Sequence, residues 1–290
     1  MKMIIAQDRD LERHSPLIKL TRFFVVPLLN IIPASFLQMI VRKFSPFGKK
    51  VIEKPGTTHS LEVMYSKPEA LLRKNIFNKA ADFFWNNIIS QPKAIRNRLK
   101  VVEENLEEEI KRLLKKKNQI DLLTIGGGSS RAIIQTISQL LKNSKFNIKI
   151  TNLDKDKKAI ELGQEKAKQF RLEDIFTWVN GDVRSLKSFV KPLSFDIVEM
   201  VGLLDYFNSE ESKMIVQDIY GVIKPGGLFI MANVYPNSEV SFVHNVGWPK
   251  MYYKTEGDLA DILKVAGFKD ETITLIFEPL KVHLVGLAKK

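Results

Sequence analysis

From residue 120 onward, short apolar runs alternate with stretches whose apolar residues recur at helical spacing. IDLLTI (120–125) predicts a buried strand, followed by a helix through RAIIQTISQLLKN. NIKITNLD (147–154) and KKAIELGQEKAKQF repeat the pair, IFTWV (175–179) adds a strand, and FDIVEMV (195–201) is followed by a helix over ESKMIVQDIYGVI. After the Lys224-Pro225-Gly226-Gly227 turn comes a last buried strand, GLFIMANV (227–234). Strands separated by helices predict βαβ units and a parallel sheet. The end departs from this rhythm. ETITLIFEP and KVHLVGLAKK are parted only by a turn near Pro279, which predicts an antiparallel hairpin on the sheet edge.

The first third reads differently. Residues 1–22 are polar and charged, and Phe23 to Val41 is a long apolar stretch interrupted by Pro27 and Pro33. The prolines, with Asn30, Ser35 and Gln38, argue against a membrane span, and no small-residue cleavage site follows. One or two short amphipathic helices are expected, packed on the domain that follows or lying on a membrane surface. Lys49 to Ser60 reads as a loop, residues 68 to 116 as helical with Pro68 in a first turn, and Pro92 opens a further charged helix.

Charge sharpens the division. Of a net +12, residues 1–100 hold 18 basic and 7 acidic residues, a net of +11. Such a segment favours anionic partners, whether lipid headgroup, nucleic acid or acidic substrate. The chain has no cysteine, which excludes disulfides, thiolate metal sites and cysteine nucleophiles. Its four histidines show no metal-ligand spacing, so no metal site is expected. A reducing, cytoplasmic setting fits. Two parts are expected: a basic helical extension or lid over 1–100 and a catalytic domain over 101–290.

Candidate chemistry collects at the carboxyl ends of the predicted strands, where ligands bind in doubly wound sheets. Gly126, Gly127 and Gly128 form a turn that lets a ligand approach the backbone. Asp154 ends the second strand and can accept both hydroxyls of a ribose. Asp182, with Val183 beside it, follows the third, and Glu199 lies near the end of the fourth, where it would floor a cofactor cleft. The dinucleotide fingerprint G-x-G-x-x-G fails at Arg131. Asp205, Tyr206, His244 and Tyr252, with Tyr253, are the candidates to act on an acceptor or line its pocket.

These pieces resemble a class I S-adenosylmethionine-dependent methyltransferase over residues 121–290, through LLTIGGGSS, NLDKD, NGDV, FDIVEMVGLLDYF and VIKPGGLFIMANV. The resemblance implies a Rossmann-like seven-stranded sheet with a C-terminal antiparallel hairpin and an N-terminal helical extension, and S-adenosylmethionine as cofactor. It implies that Gly126 and Gly128 flank the methionine part, Asp154 the ribose and Asp182 the adenine. Two departures stand out: the family usually has an acid two residues before the first glycine, where this chain has Thr124, and the third glycine is replaced by Ser130. GLLDYF, GWPKMYY and QPKAIRNRLK (91–100) resemble a bacterial group that includes enzymes linked to methyl esters of hydroxylated fatty acids. The expected reaction is methyl transfer to a small-molecule or lipid-like acceptor through a carboxylate or hydroxyl, with peripheral membrane contact through residues 15–50. An RNA methyltransferase, an aminopropyl or aminocarboxypropyl transferase and a non-catalytic S-adenosylmethionine-binding protein remain the alternatives.

Overall fold

The computed structural model describes residues 1–66 and 76–290; the expected helix start at Pro68 lies outside the described residues. The central motif follows the sequence pattern closely. Strands β2 (Gln119–Ile125), β3 (Asn147–Asp154), β4 (Phe176–Asn180), β5 (Phe195–Val201) and β6 (Ile223–Val234) run parallel. Helices α7 (Arg131–Asn143), α8 (Lys157–Gln169), α9 (Leu186–Phe189) and α10 (Ser209–Val222) connect them. Every residue of β5 but the last is buried. That is why its sequence reads as a continuous run: helices cover both faces of a parallel sheet. The Lys224–Gly227 segment, expected as a turn, is the irregular start of β6, with a register break opposite Phe195 and Ile197.

The sheet has eight strands in the order β1-β7-β8-β6-β5-β2-β3-β4. Strand β7 (Ile273–Phe277) and strand β8 (His283–Lys289) form the expected antiparallel hairpin. The hairpin does not end the sheet, because β8 lies between β6 and β7 and a further strand, β1 (Lys2–Ile5), pairs parallel with β7. The opening KMII was read as part of a polar segment. Four residues are too few to show a period, and all four are exposed apart from this edge pairing.

The first third is helical: α1 (Pro16–Ile31), α2 (Ala34–Phe44), α3 (Pro46–Val51), α4 (Thr58–Tyr65), α5 (Ile76–Asn87) and α6 (Gln91–Leu114). Pro27 lies inside α1 and does not end it; the break falls at Pro33, where α1 and α2 meet at 119°. The expected loop over 49–60 is shorter, since α3 and α4 occupy both its ends. Helix α6 runs unbroken across residue 100 and packs on α7, β2, β6 and β8. Helices α2 to α6 share a separate apolar cluster with α11 (Val240–Asn245), in which Trp85 packs 5.6 Å from Phe242. Polar clips hold α1 and α2 to the same region. Arg22 pairs with Glu239 at 2.6 Å, and the Asn30 side chain accepts from the Phe242 amide at 2.9 Å. Helix α12 (Glu256–Ala266), with a Thr255/Asp258 capping box, completes the sheet's far side against α10.

Candidate functional site

The glycine turn after β2 has the geometry its sequence demands. Gly126 and Gly128 have φ of +61° and +54°, a region L side chains rarely enter. Close neighbours add a second constraint. A Cβ on Gly126 would lie 2.7 Å from Leu203, and one on Gly128 would lie 2.6 Å from the Thr58 hydroxyl of α4. Ser130, where the family pattern has its third glycine, also takes a positive φ of 50° and accepts a hydrogen bond from Asn152.

Asp154 braces this turn. Its carboxylate accepts from the Gly128 amide at 2.9 Å and from the Asp156 amide at 2.8 Å. Burial raises its pKa, and those two amide bonds oppose the rise. Asp182 caps the short turn after β4 and pairs in bidentate fashion with Arg184, at 2.9 and 2.7 Å. The Arg184 side chain holds its pKa down at about 2, so it is charged throughout the physiological range. Val183 beside it is buried and lines the same cavity as Asp154 and Asp182.

Glu199 lies elsewhere than the floor of that cavity. It is buried, sits in register opposite Thr124, and accepts the Thr124 hydroxyl at 2.5 Å. It lines a smaller pocket behind the glycine turn. An acid thus stands on the adjacent strand, opposite the Thr124 position where the family pattern has one. Burial pushes the Glu199 carboxyl up to about 7.

The main cavity has a volume of about 560 Å³. It runs from Gly126, Asp154 and Asp182 past Gly202 and Leu203 into a chamber lined by Trp85, Ile89, Ile95, Phe242, Trp248 and Met251. One wall is therefore the carboxyl edge of the sheet and the other is the helical first third. Helix α4 closes over the glycine turn. Its Glu62 accepts from Ser129 at 2.5 Å and pairs with Arg131 at 2.6 Å and Lys166 at 2.5 Å.

The candidate acceptor residues separate. Asp205 and Tyr206 line the cavity. Asp205 is buried and accepts from the Val234 amide at 2.6 Å; burial pushes its carboxyl up to about 6, although Val234, Arg98 and Lys254 oppose this. Burial and the Asp205 charge push the Tyr206 phenol up to about 12. His244 is exposed on α11 and does not line the cavity, nor does Tyr252, which is 37% exposed and meets Asp205 only through its backbone amide. Tyr253 packs on a satellite apolar cluster with Ala94 and Val282.

Two lining residues were not singled out in the sequence. Arg98 of α6 is 3% exposed, and His283 at the head of β8 is 2% exposed. For Arg98 a signal existed: it continues the buried stripe Ala94, Ile95, Val101 and Val102, where a charge has no ordinary reason to be. His283 offered none, being a single polar residue in an apolar strand. Among the described residues no cluster of three or more potential metal ligands occurs.

Comparison with known proteins agrees with the geometry. Residues 122–227 match the family model described as a methyltransferase domain. No curated protein matches the chain by sequence. Among solved structures, a "possible exported protein" from Bordetella parapertussis is similar over 96% of this chain and 99% of its own, with 12% identity and a TM-score of 0.70. Magnesium protoporphyrin IX methyltransferase from Synechocystis, solved with bound S-adenosylhomocysteine, is similar over 79% of this chain and 92% of its own (12% identity, TM-score 0.54). The S-adenosylmethionine-dependent methyltransferase SibL covers 95% of this chain with 77% of its own length matched (17% identity, TM-score 0.55). At these identities the likeness is one of fold. Residues 122–227 thus match a methyltransferase domain, and the fold is that of solved S-adenosylmethionine-dependent methyltransferases.

Proposed function

We propose that the chain transfers a methyl group from S-adenosylmethionine to a lipid-like small molecule whose apolar part occupies the chamber beneath the N-terminal helices. The observation that carries this reading is the continuity of the cavity, from Asp154 and Asp182 at one end to Trp85, Ile89 and Trp248 at the other. Pockets lined mainly by apolar and aromatic side chains with few polar groups suit amphiphilic small molecules. A nucleic-acid substrate would call for a basic, open groove.

S-adenosylmethionine, when bound, supplies a methyl group already activated by its sulfonium. The residues present fit it. The two positive-φ glycines leave backbone open to a ligand, Asp154 offers a carboxylate for ribose hydroxyls, and Asp182 with Val183 offers an acceptor and an apolar contact for adenine. Helix α4 and the aromatic chamber exclude water, and the strand-end residues Gly202 and Leu203 hold the acceptor against the reacting centre.

A peripheral membrane contact belongs to the same proposal. No single helix is long and apolar enough to cross a membrane among the described residues. Helix α1 nevertheless turns Leu17, Leu20, Phe24, Leu28 and Ile31 outward at helical spacing, with Phe36 and Met39 exposed on α2. Lys19, Arg42, Lys43, Lys49 and Lys50 lie exposed around them. An outward apolar stripe with a basic margin suits the interface of an anionic bilayer, from which a lipid-like acceptor would be drawn.

The deciding experiment supplies methyl-labelled S-adenosylmethionine with lipid, RNA and protein fractions of a cell extract, alongside calorimetry with S-adenosylhomocysteine and NAD. Label should enter the lipid fraction, and S-adenosylhomocysteine should bind where NAD does not. Label confined to RNA, or binding of NAD alone, would overturn the reading.

A further inference from the structure

Arg98 is a cation sealed into an apolar wall. It projects from α6 into the cavity with 3% of its surface exposed. Among the described residues it forms no ion pair, its Nε has no partner, and its one hydrogen bond is a long one, 3.3 Å to the Tyr65 hydroxyl. Its Nη1 would lie 3.0 Å from a Cβ on Gly202, so the guanidinium rests against bare backbone at the end of β5. His283 lines the same cavity, buried, with neither ring nitrogen partnered. A buried guanidinium without a direct ion pair and a buried imidazole without a hydrogen bond are each costly unless a ligand completes them.

The charged groups facing Arg98 do not complete it. Asp205, Glu199 and His283 all feel its charge, but Asp205 spends its hydrogen bond on the Val234 amide and Glu199 on Thr124. Lys254 is satisfied by the carbonyls of Leu204 and Phe207 and adds a second positive charge near Asp205.

We infer that Arg98 and His283 form the head-group site of the methyl acceptor, and that the head group is a carboxylate. This deepens the methyltransferase reading and rests on it. A bidentate guanidinium fits a carboxylate, and the neutral imidazole supplies a further hydrogen bond. Sheet order places the His283 end of the site on the acceptor's side. Asp182, Asp154 and Gly126 follow β4, β3 and β2, whereas His283 stands on β8, three strands beyond β2 and hence about 14 Å away at ordinary strand spacing. A carboxylate oxygen releases no proton on methylation, so such a site needs no base, and the His283 imidazole, kept neutral by burial and by the Arg98 cation, is left free to hydrogen-bond.

A carboxylate can also come from the methionyl part of the cofactor, and the test separates the two sources. Trp85 and Trp248 line the chamber, so tryptophan fluorescence of the full chain reports its filling. With S-adenosylhomocysteine present, decanoate should bind at least about tenfold more tightly than decan-1-ol. Arg98→Gln should lose about tenfold or more for decanoate, leave decan-1-ol within about twofold, and keep its affinity for S-adenosylhomocysteine; Arg98→Lys should recover part of the loss. Equal binding of decanoate and decan-1-ol by the wild type overturns the inference whatever the variants do. So does an Arg98→Gln chain that loses S-adenosylhomocysteine but keeps 5′-methylthioadenosine, because Arg98 then holds the cofactor's own carboxylate. A wild type that does not bind S-adenosylhomocysteine overturns the methyltransferase reading instead, which the calorimetry reads separately.

Discussion

Asp154 holds the glycine turn through the Gly128 and Asp156 amides, and in the proposed function the same carboxylate meets the ribose. Asp154→Ala should therefore weaken S-adenosylhomocysteine binding by about 2–4 kcal/mol in calorimetry, with native circular dichroism, since charge-assisted bonds to a buried partner are lost at a strand end. Unchanged affinity would move the ribose site elsewhere. Glu199 behaves differently with pH. Its folded pKa, about 7, lies above the ordinary value of 4.5. Its contribution is therefore fully present below pH 4.5 and is lost as pH rises through 7. Glu199→Gln keeps an oxygen for Thr124 and should melt higher than the wild type at pH 8, by up to about 3 kcal/mol, with the gap closing by pH 5. A variant less stable at pH 8 would mean that Arg98 stabilises the ionised carboxylate. Single residues were legible in the sequence where they end a strand, as Asp154 does. Arg98 and Glu199 were obscured because their roles depend on a neighbouring element that spacing along the chain does not reveal.

At the scale of elements, α4 clasps the glycine turn, and Glu62 is the clasp. Its three partners, Ser129, Arg131 and Lys166, come from the turn, from α7 and from α8. Those hydrogen bonds outweigh the rise that burial alone would cause and leave its pKa lowered, so the clasp weakens as pH falls through the acidic range. Glu62→Gln should raise the S-adenosylhomocysteine dissociation constant about tenfold and quicken proteolysis near α4, while unfolding in denaturant changes little. Helix α1 carries a separate expectation. Phe24 and Leu28 are more than 60% exposed, so changing both to serine should leave the melting temperature unchanged. The same variant should abolish co-sedimentation with phosphatidylglycerol vesicles at low salt; undiminished sedimentation would defeat the membrane contact. Periodicity revealed these helices, but not their orientation. An apolar stripe reads the same whether it faces a core or a bilayer.

For the whole molecule, the sheet's centre was readable because its buried parallel strands are mostly apolar runs, as in LLTI and FDIVEM. The union of the helical third with the sheet was not, since it rests on distant pairings such as Arg22 with Glu239 and Asn97 with Glu278. Removing residues 1–50 would take away β1, strip the Phe242 cluster and leave Glu239 buried without its cation. That truncated chain should aggregate or melt well below the intact one in a thermal scan. An intact melting temperature would show the extension to be an independent unit.

The place of β8 in the sheet sets a timetable. Strands β1 and β7 reach the remaining strands only across β8, which follows every other strand in the sequence. Until it docks, the edge of β6 from Leu228 to Val234 and the apolar side chains of Leu284 and Ala288 lie uncovered, and such long-range closure is slow. His283 is the first residue of that strand. A half-folded chain can thus assemble the Asp154 and Asp182 end of its cavity well before the His283 end exists, and ligand capture at that far end marks the docking of the final strand.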